Sequence, residues 1–308
     1  MKTDAETKRN LAQAIVCGLP GPVARPEDLE LFSRHGLGGA ILFARNVQGP
    51  RQVWELNQAL RGAARQAGRP PLLTMVDQEG GSVARLKGPF THGPDLAELG
   101  KAGPEELAAH GGRMGRELVA AGFNWDLAPV VDVHAMPDGV MAKRSLGPDP
   151  ARVGELAAAF IQGMQGAGCL ACAKHFPGLG RTTADTHKHR PLVDLSLADL
   201  QEMELVPFRR AIAAQTAGVM VCHAVFSAID PERPASLSRA VVGDLLRGVL
   251  GYQGVVLSDD LEMGAIVGGM TPAEAAVAAF AAGCDLLLIC SEQGQALAAH
   301  EGLVKAVE

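Results

Sequence analysis

The sequence predicts a single-domain (β/α)8 barrel spanning 1–308, on three observations. Eight short apolar runs, rich in Val, Ile, Leu and small residues, alternate with eight Ala/Leu-rich amphipathic stretches. The short runs are apolar on both faces, as parallel strands covered on each side by helices are. Polar clusters follow most of them, at the strand ends where a barrel keeps its chemistry. An open doubly wound sheet shares this alternation, because counting strands does not prove closure.

In chain order, the strands are expected near 13–18, 39–43, 72–76, 123–131, 170–174, 217–222, 254–258 and 284–290. The helices between and after them are expected near 26–35, 50–67, 104–121, 150–166, 196–215, 238–250, 272–282 and 292–307. The first strand is the least distinct, since Ala12–Val16 also extends an N-terminal helical pattern. Pro104-Glu105-Glu106 and Pro272-Ala273-Glu274 put Pro at a helix start with acid in the first turn. Ser196 and Asp199 resemble a capping box, and Pro207 should break or kink the helix that follows. Gly68, Gly122, Gly168, Gly218 and Gly283 lie just past helical stretches, as helix stops do.

With 308 residues, 47% apolar and 20% charged, the chain can bury a large core. Such length suggests two domains, but barrels of this size are routinely single. A net charge of −6 argues against nucleic acid as the main partner. No apolar run approaches the roughly 18 residues of a membrane span. The polar, acidic start Met1–Glu6 lacks the apolar core of a signal peptide, so a cytoplasmic protein is expected. Cys17, Cys169, Cys172, Cys222, Cys284 and Cys290 mostly sit in apolar runs, the pattern of buried hydrophobes and not of a disulfide framework. Cys169 and Cys172 match C-x-x-C, but they precede or enter a strand instead of opening a helix.

The polar residues recur where the barrel predicts them. Asp77-Gln78-Glu79-Gly80-Gly81 and Arg85 follow the third strand; Asp132, His134 and then Lys143-Arg144 follow the fourth. Lys174 and His175 end the fifth, before a loop carrying Asp185 and His187; His223 ends the sixth and Ser258-Asp259-Asp260 the seventh. A lone carboxylate there is often a helix N-cap, as Asp260 can be, or a turn former, as Asp77 can be before two glycines. Polar clusters at consecutive strand ends point instead to a pocket. No Gly-x-Gly-x-x-Gly or Gly-x-Ser-x-Gly occurs at a strand–helix turn, which argues against a dinucleotide and a serine nucleophile. Carboxylates plus cationic donors suit a small polyhydroxylated substrate such as a sugar. Met220 and Met263 are expected in the core, and Asp132 behind the site.

Four segments together resemble the family 3 glycoside hydrolases, and among them the single-domain β-N-acetylglucosaminidases. They are Asp77–Gly81 with Arg85, Lys143–Gly147, Lys174–Gly178 with Asp185-Thr186-His187, and Gly254–Met263. The resemblance spans nearly the whole chain. It implies Asp259 as a nucleophile that forms a covalent glycosyl–enzyme intermediate. It implies His187 as acid/base, oriented by Asp185, in place of the carboxyl most retaining glycosidases use. Asp77, Arg85, Arg144, Lys174 and His175 match the family's sugar-binding positions; His223 either binds sugar or braces Asp259. The expected substrates are small β-linked GlcNAc saccharides, in particular peptidoglycan-derived muropeptides, with no metal or cofactor. The chain departs from the family pattern at Leu179 and Arg181, where His and Asp are common, and at Ser82, where Arg is common.

Rival readings follow from the same residues. His187-Lys188-His189 is an H-x-H, but a metal pair of that spacing belongs on a strand. A β-glucosidase, a GlcNAc phosphorylase and a non-catalytic sugar-binding barrel all use the same pocket. The sequence leaves the oligomeric state and the aglycone open.

Overall fold

A computed structural model describes residues 4–134, 139, 141–182 and 191–308. Its centre is one parallel sheet of β1 (Ile15–Gly18), β2 (Gly39–Leu42), β3 (Leu73–Val76), β4 (Trp125–Asp126), β5 (Cys172–Phe176), β6 (Gly218–Val221), β7 (Val255–Asp260) and β8 (Leu286–Ile289). The order is β4-β3-β2-β1-β8-β7-β6-β5, and every neighbouring pair is parallel. Closure comes from parallel bridges Trp125↔Leu170 and Val130↔Lys174, supported by Cys172 N–H to Ala128 O and Val131 N–H to Lys174 O, both 2.8 Å. The sheet is therefore a barrel and not the open alternative. β4 is much shorter than the expected 123–131 because Pro129 has no N–H to continue a ladder.

The period of two along the strands divides the core. Val16, Ile41, Met75, Trp125, Met220 and Leu257 fill the barrel, while Ile15, Cys17, Ala40 and Val76 pack outward under the helices. Gly218 is not a helix stop: it opens β6, where an added Cβ would lie 2.6 Å from Trp125. The preceding helix stops instead at Gln215, with φ 58. Gly68, Gly122, Gly168 and Gly283 do take positive φ just past helices.

An N-terminal helix, Ala5–Ala12, ends before β1, which settles the ambiguity at Ala12–Val16. Helices Pro26–Ser33, Pro50–Gln66, Pro104–Ala120, Pro150–Gly166, Pro272–Ala282 and Gln293–Val307 lie near their expected positions. The stretch expected as one helix over 196–215 is three pieces: Leu197–Asp199, a π-helical segment Leu200–Glu204, and Leu205–Ala213. Pro207 withholds the N–H that would tighten this region, and the wider turn lies immediately before it. Ser196 Oγ accepts from Asp199 N and donates to Asp199 Oδ2. All six cysteines are free and buried. Among the described residues, no helix is long and apolar enough to cross a membrane.

Candidate functional site

The carboxyl ends of the strands surround a pocket whose wall includes Asp77, Arg85, Arg144, Lys174, His175 and Asp259. Six of the expected site residues thus meet in one place. Lys174, in the middle of β5, is only 2% exposed; its Nζ donates to Asp77 Oδ1 (2.7 Å) and pairs with Glu79 Oε1 (2.7 Å). Arg144 grips Glu79 with both arms, Nε to Oε2 at 2.8 Å and Nη2 to Oε1 at 2.7 Å. Arg85 Nη2 lies 3.5 Å from Asp77 Oδ2. Asp77 is therefore committed to cations and not to a turn.

Burial opposes the charges of Lys174, Glu79 and Arg144, yet their partners overcome it. Lys174 is held above its usual range because Asp77 and Glu79 outweigh desolvation. Glu79 is held far below the carboxylate range, as Lys174 and Arg144 outweigh its own desolvation. The result is a rigid, ionised network in a low-dielectric wall.

His175 belongs to the same wall. Its Nδ1 is 2.8 Å from Asp132 Oδ2, and its Nε2 is 3.4 Å from Arg144 Nη2. Arg144 can only donate, so Nε2 accepts and Nδ1–H donates to Asp132. Asp132 is fully buried, and its Oδ1 accepts the Leu179 N–H at 2.8 Å. The carboxylate thus ties the start of the loop after β5 to the ring it orients, behind the pocket as expected.

Asp259 sits opposite, at the end of β7. Burial raises the cost of its charge, but His223, the Asp260 N–H and Lys174 together hold it below the ordinary carboxylate range. Its Oδ1 accepts that N–H at 2.8 Å. His223 does not reach the pocket: it is completely buried, with Nδ1 2.7 Å from Ser236 Oγ and Nε2 2.9 Å from the Asp260 carbonyl. These bonds brace the backbone just after Asp259. Asp260 is not a helix N-cap either; its Oδ1 accepts from Glu262 N and Cys290 N in a turn, and Met263 precedes the next helix.

Sequence reasoning did not single out Glu79, the hub of the cation network, although it lies within Asp77–Gly81. The signal was an acid set between a strand end and two glycines. Met220 and Met263 are buried as expected, but both also line the pocket, as does Leu179. Arg181 turns to Glu204 in the π-helical segment, Nε to Oε1 3.4 Å, and the Ser82 N–H donates to Asp95. Asp185 and His187 fall within 183–190, outside the described residues, as does His189. Among the described residues, no group of three or more His, Cys, Asp and Glu side chains is arranged to hold a metal ion.

Comparison with known proteins finds relatives along nearly the whole chain. A sequence profile described as "Glycosyl hydrolase family 3 N terminal domain" matches residues 10–308. A "Beta-hexosaminidase" of Pseudomonas aeruginosa (strain LESB58) is 40% identical over 286 residues, which cover 92% of this chain and 84% of that one. The structure of a glycoside hydrolase family 3 β-N-acetylglucosaminidase from Paenibacillus sp. superposes with TM-score 0.94 at 37% identity, over 97% of this chain and 57% of that longer one. NagZ from Neisseria gonorrhoeae, solved in complex with N-trifluoroacetyl-D-glucosamine, superposes with TM-score 0.85 at 30% identity, over 95% of this chain and 88% of that one.

Proposed function

This chain belongs to glycosyl hydrolase family 3 and is a glycoside hydrolase of the β-N-acetylhexosaminidase kind, and from that premise we propose a retaining exo-β-N-acetylglucosaminidase with Asp259 as nucleophile. The observation that carries the reading is a carboxylate held ionised on one wall of a pocket whose other wall is a pre-paired charged network. Asp259 attacks the anomeric carbon of a terminal β-linked GlcNAc, and the bond to the leaving oxygen breaks. His187, oriented by Asp185, gives that oxygen a proton. Water then loses its proton to His187 and displaces Asp259.

Asp77, Arg85, Arg144, Lys174 and His175 hold the ring hydroxyls. Because these side chains are already locked to one another, they need little reorganisation as charge develops at the anomeric centre. The natural substrates are small GlcNAc-terminated saccharides, peptidoglycan-derived muropeptides among them; the N-acyl glucosamine bound to the gonococcal relative supports a saccharide of this kind.

The test compares aryl β-N-acetylglucosaminide with aryl β-glucoside, using Asp259→Asn as control and repeating the assay with phosphate. Turnover of the former that disappears in the variant is expected. Preference for the glucoside would overturn the sugar. Accumulation of a sugar phosphate would replace hydrolysis by phosphorolysis, and silence on both would favour a binding protein.

A further inference from the structure

β7 does not run straight to its end. Leu257 pairs with Leu286 of β8, but Asp260 pairs with Leu288, so β7 carries one more residue than its partner over this interval. Ser258 Oγ takes the Leu288 N–H at 3.1 Å across this irregularity. A regular strand would send Asp259 and Asp260 to opposite faces. The bulge instead brings both onto the pocket wall. Asp260 is fixed there by its Oδ1, which accepts from Glu262 N (3.1 Å) and Cys290 N (3.3 Å), and by its carbonyl, which His223 holds. Among the described residues its Oδ2 takes no hydrogen bond.

Resting on the hydrolase reading above, we propose that Asp260 is a substrate-contacting residue, whose Oδ2 carries a proton and donates it as a hydrogen bond to an oxygen of the bound sugar. The two adjacent carboxyls meet unlike surroundings. Asp259 faces His223 and Lys174, whereas Asp260 faces acids, Asp259 and Glu262 on its own segment. Cys290 on β8 meets it through an N–H, and its thiol is neutral, pushed up by burial. Among the described residues Arg45 approaches this corner, and it binds the Cys290 carbonyl instead of the carboxyl. His223 meets Asp260 through the backbone carbonyl. Burial, together with Glu262 and Asp259, pushes the Asp260 carboxyl up to about 7. Below about pH 7 one carboxyl of the pair is thus an anion for attack and the other a neutral donor, a division that unlike environments impose on paired acids.

The test is calorimetric titration of the whole protein with GlcNAc from about pH 5.5 to 8, or with glucose if turnover selects β-glucosides, so that a wrong sugar leaves the test intact. Asp260→Asn places an amide N–H where the acid O–H stood and keeps the Oδ1 acceptor. The wild type should lose affinity as pH rises through 7, relative to Asp260→Asn, by roughly tenfold, the upper end of one hydrogen bond. Asp260→Ala should bind about tenfold more weakly already at low pH. Equal pH profiles for wild type and Asp260→Asn would overturn the proposal, as would an Asn variant as weak as Ala. Selective loss of substrates with poor leaving groups in Asp260→Asn would also overturn it, making Asp260 the proton donor of the reaction.

Discussion

Replacing Glu204 by Gln should stabilise the protein at neutral and alkaline pH and leave it nearly unchanged in acid. Glu204 projects from the π-helical segment beneath the loop after β5; it is 1% exposed, and neither carboxylate oxygen accepts a hydrogen bond. Its cationic partner among the described residues, Arg181, stands 3.4 Å away and is itself 35% exposed. A Cβ on Gly178 would lie 2.5 Å from Glu204 Oε2, so the loop backbone seals the carboxyl from water. Burial, reinforced by the charge of Asp132, pushes it from 4.5 up to about 7, against the pull of Arg181.

A carboxyl whose pKa is raised on folding favours the native state most fully below its unfolded value. That advantage is lost as pH climbs from 4.5 to about 7, and above the folded value the deficit is constant. At 1.36 kcal/mol per unit the deficit reaches about 3 kcal/mol at pH 8 and is close to zero at pH 4. Gln keeps the shape and cannot ionise. Its melting temperature should therefore exceed the wild type's by about 6 °C at pH 8 and match it at pH 4. The assay is paired thermal or urea unfolding across that range. A difference independent of pH would refute the reasoning. Destabilisation at pH 8 would refute it too, by showing that the Arg181 pair outweighs burial.

Glu79→Gln should act in the opposite sense, because it leaves Lys174 and Arg144 short of an anion in a buried wall; a loss of about 3 kcal/mol at pH 7 is expected in urea unfolding. Asp77→Asn, on the wetter side of Lys174, should cost less stability but weaken sugar binding by about tenfold or more in the same titration. Asp259→Asn should abolish turnover while the melting temperature stays near the wild type's, and near-normal activity would sink the nucleophile assignment. His187→Ala should slow glycosides with poor leaving groups by at least about a hundredfold and activated aryl glycosides far less, since only the former need a proton on the departing oxygen. An equal loss on both would make His187 structural.

What the sequence revealed and what it hid divide along a physical line. Strand positions were legible because each barrel strand is apolar on both faces, and the pocket was legible because β3, β5 and β7 each end in a run of charged residues. These are local signals. Which charge meets which is not local: Glu79 becomes the hub only because Lys174, 95 positions away, and Arg144, 65 away, converge on it from two other strand ends. Gly218 and Glu204 were misread or missed for the same reason, as each is defined by what packs against it, Trp125 in one case and Gly178 in the other. The bulge in β7 is the sharpest example. In sequence, Asp260 could be a helix N-cap beside the pocket acid Asp259, and on a regular strand the two would point to opposite faces. Pairing with β8 shifts that register by one residue and places both acids at the site. The cation that faces Asp259 from β5, Lys174, is 85 positions away, whereas the acids that face Asp260 are its own sequence neighbours, Asp259 and Glu262.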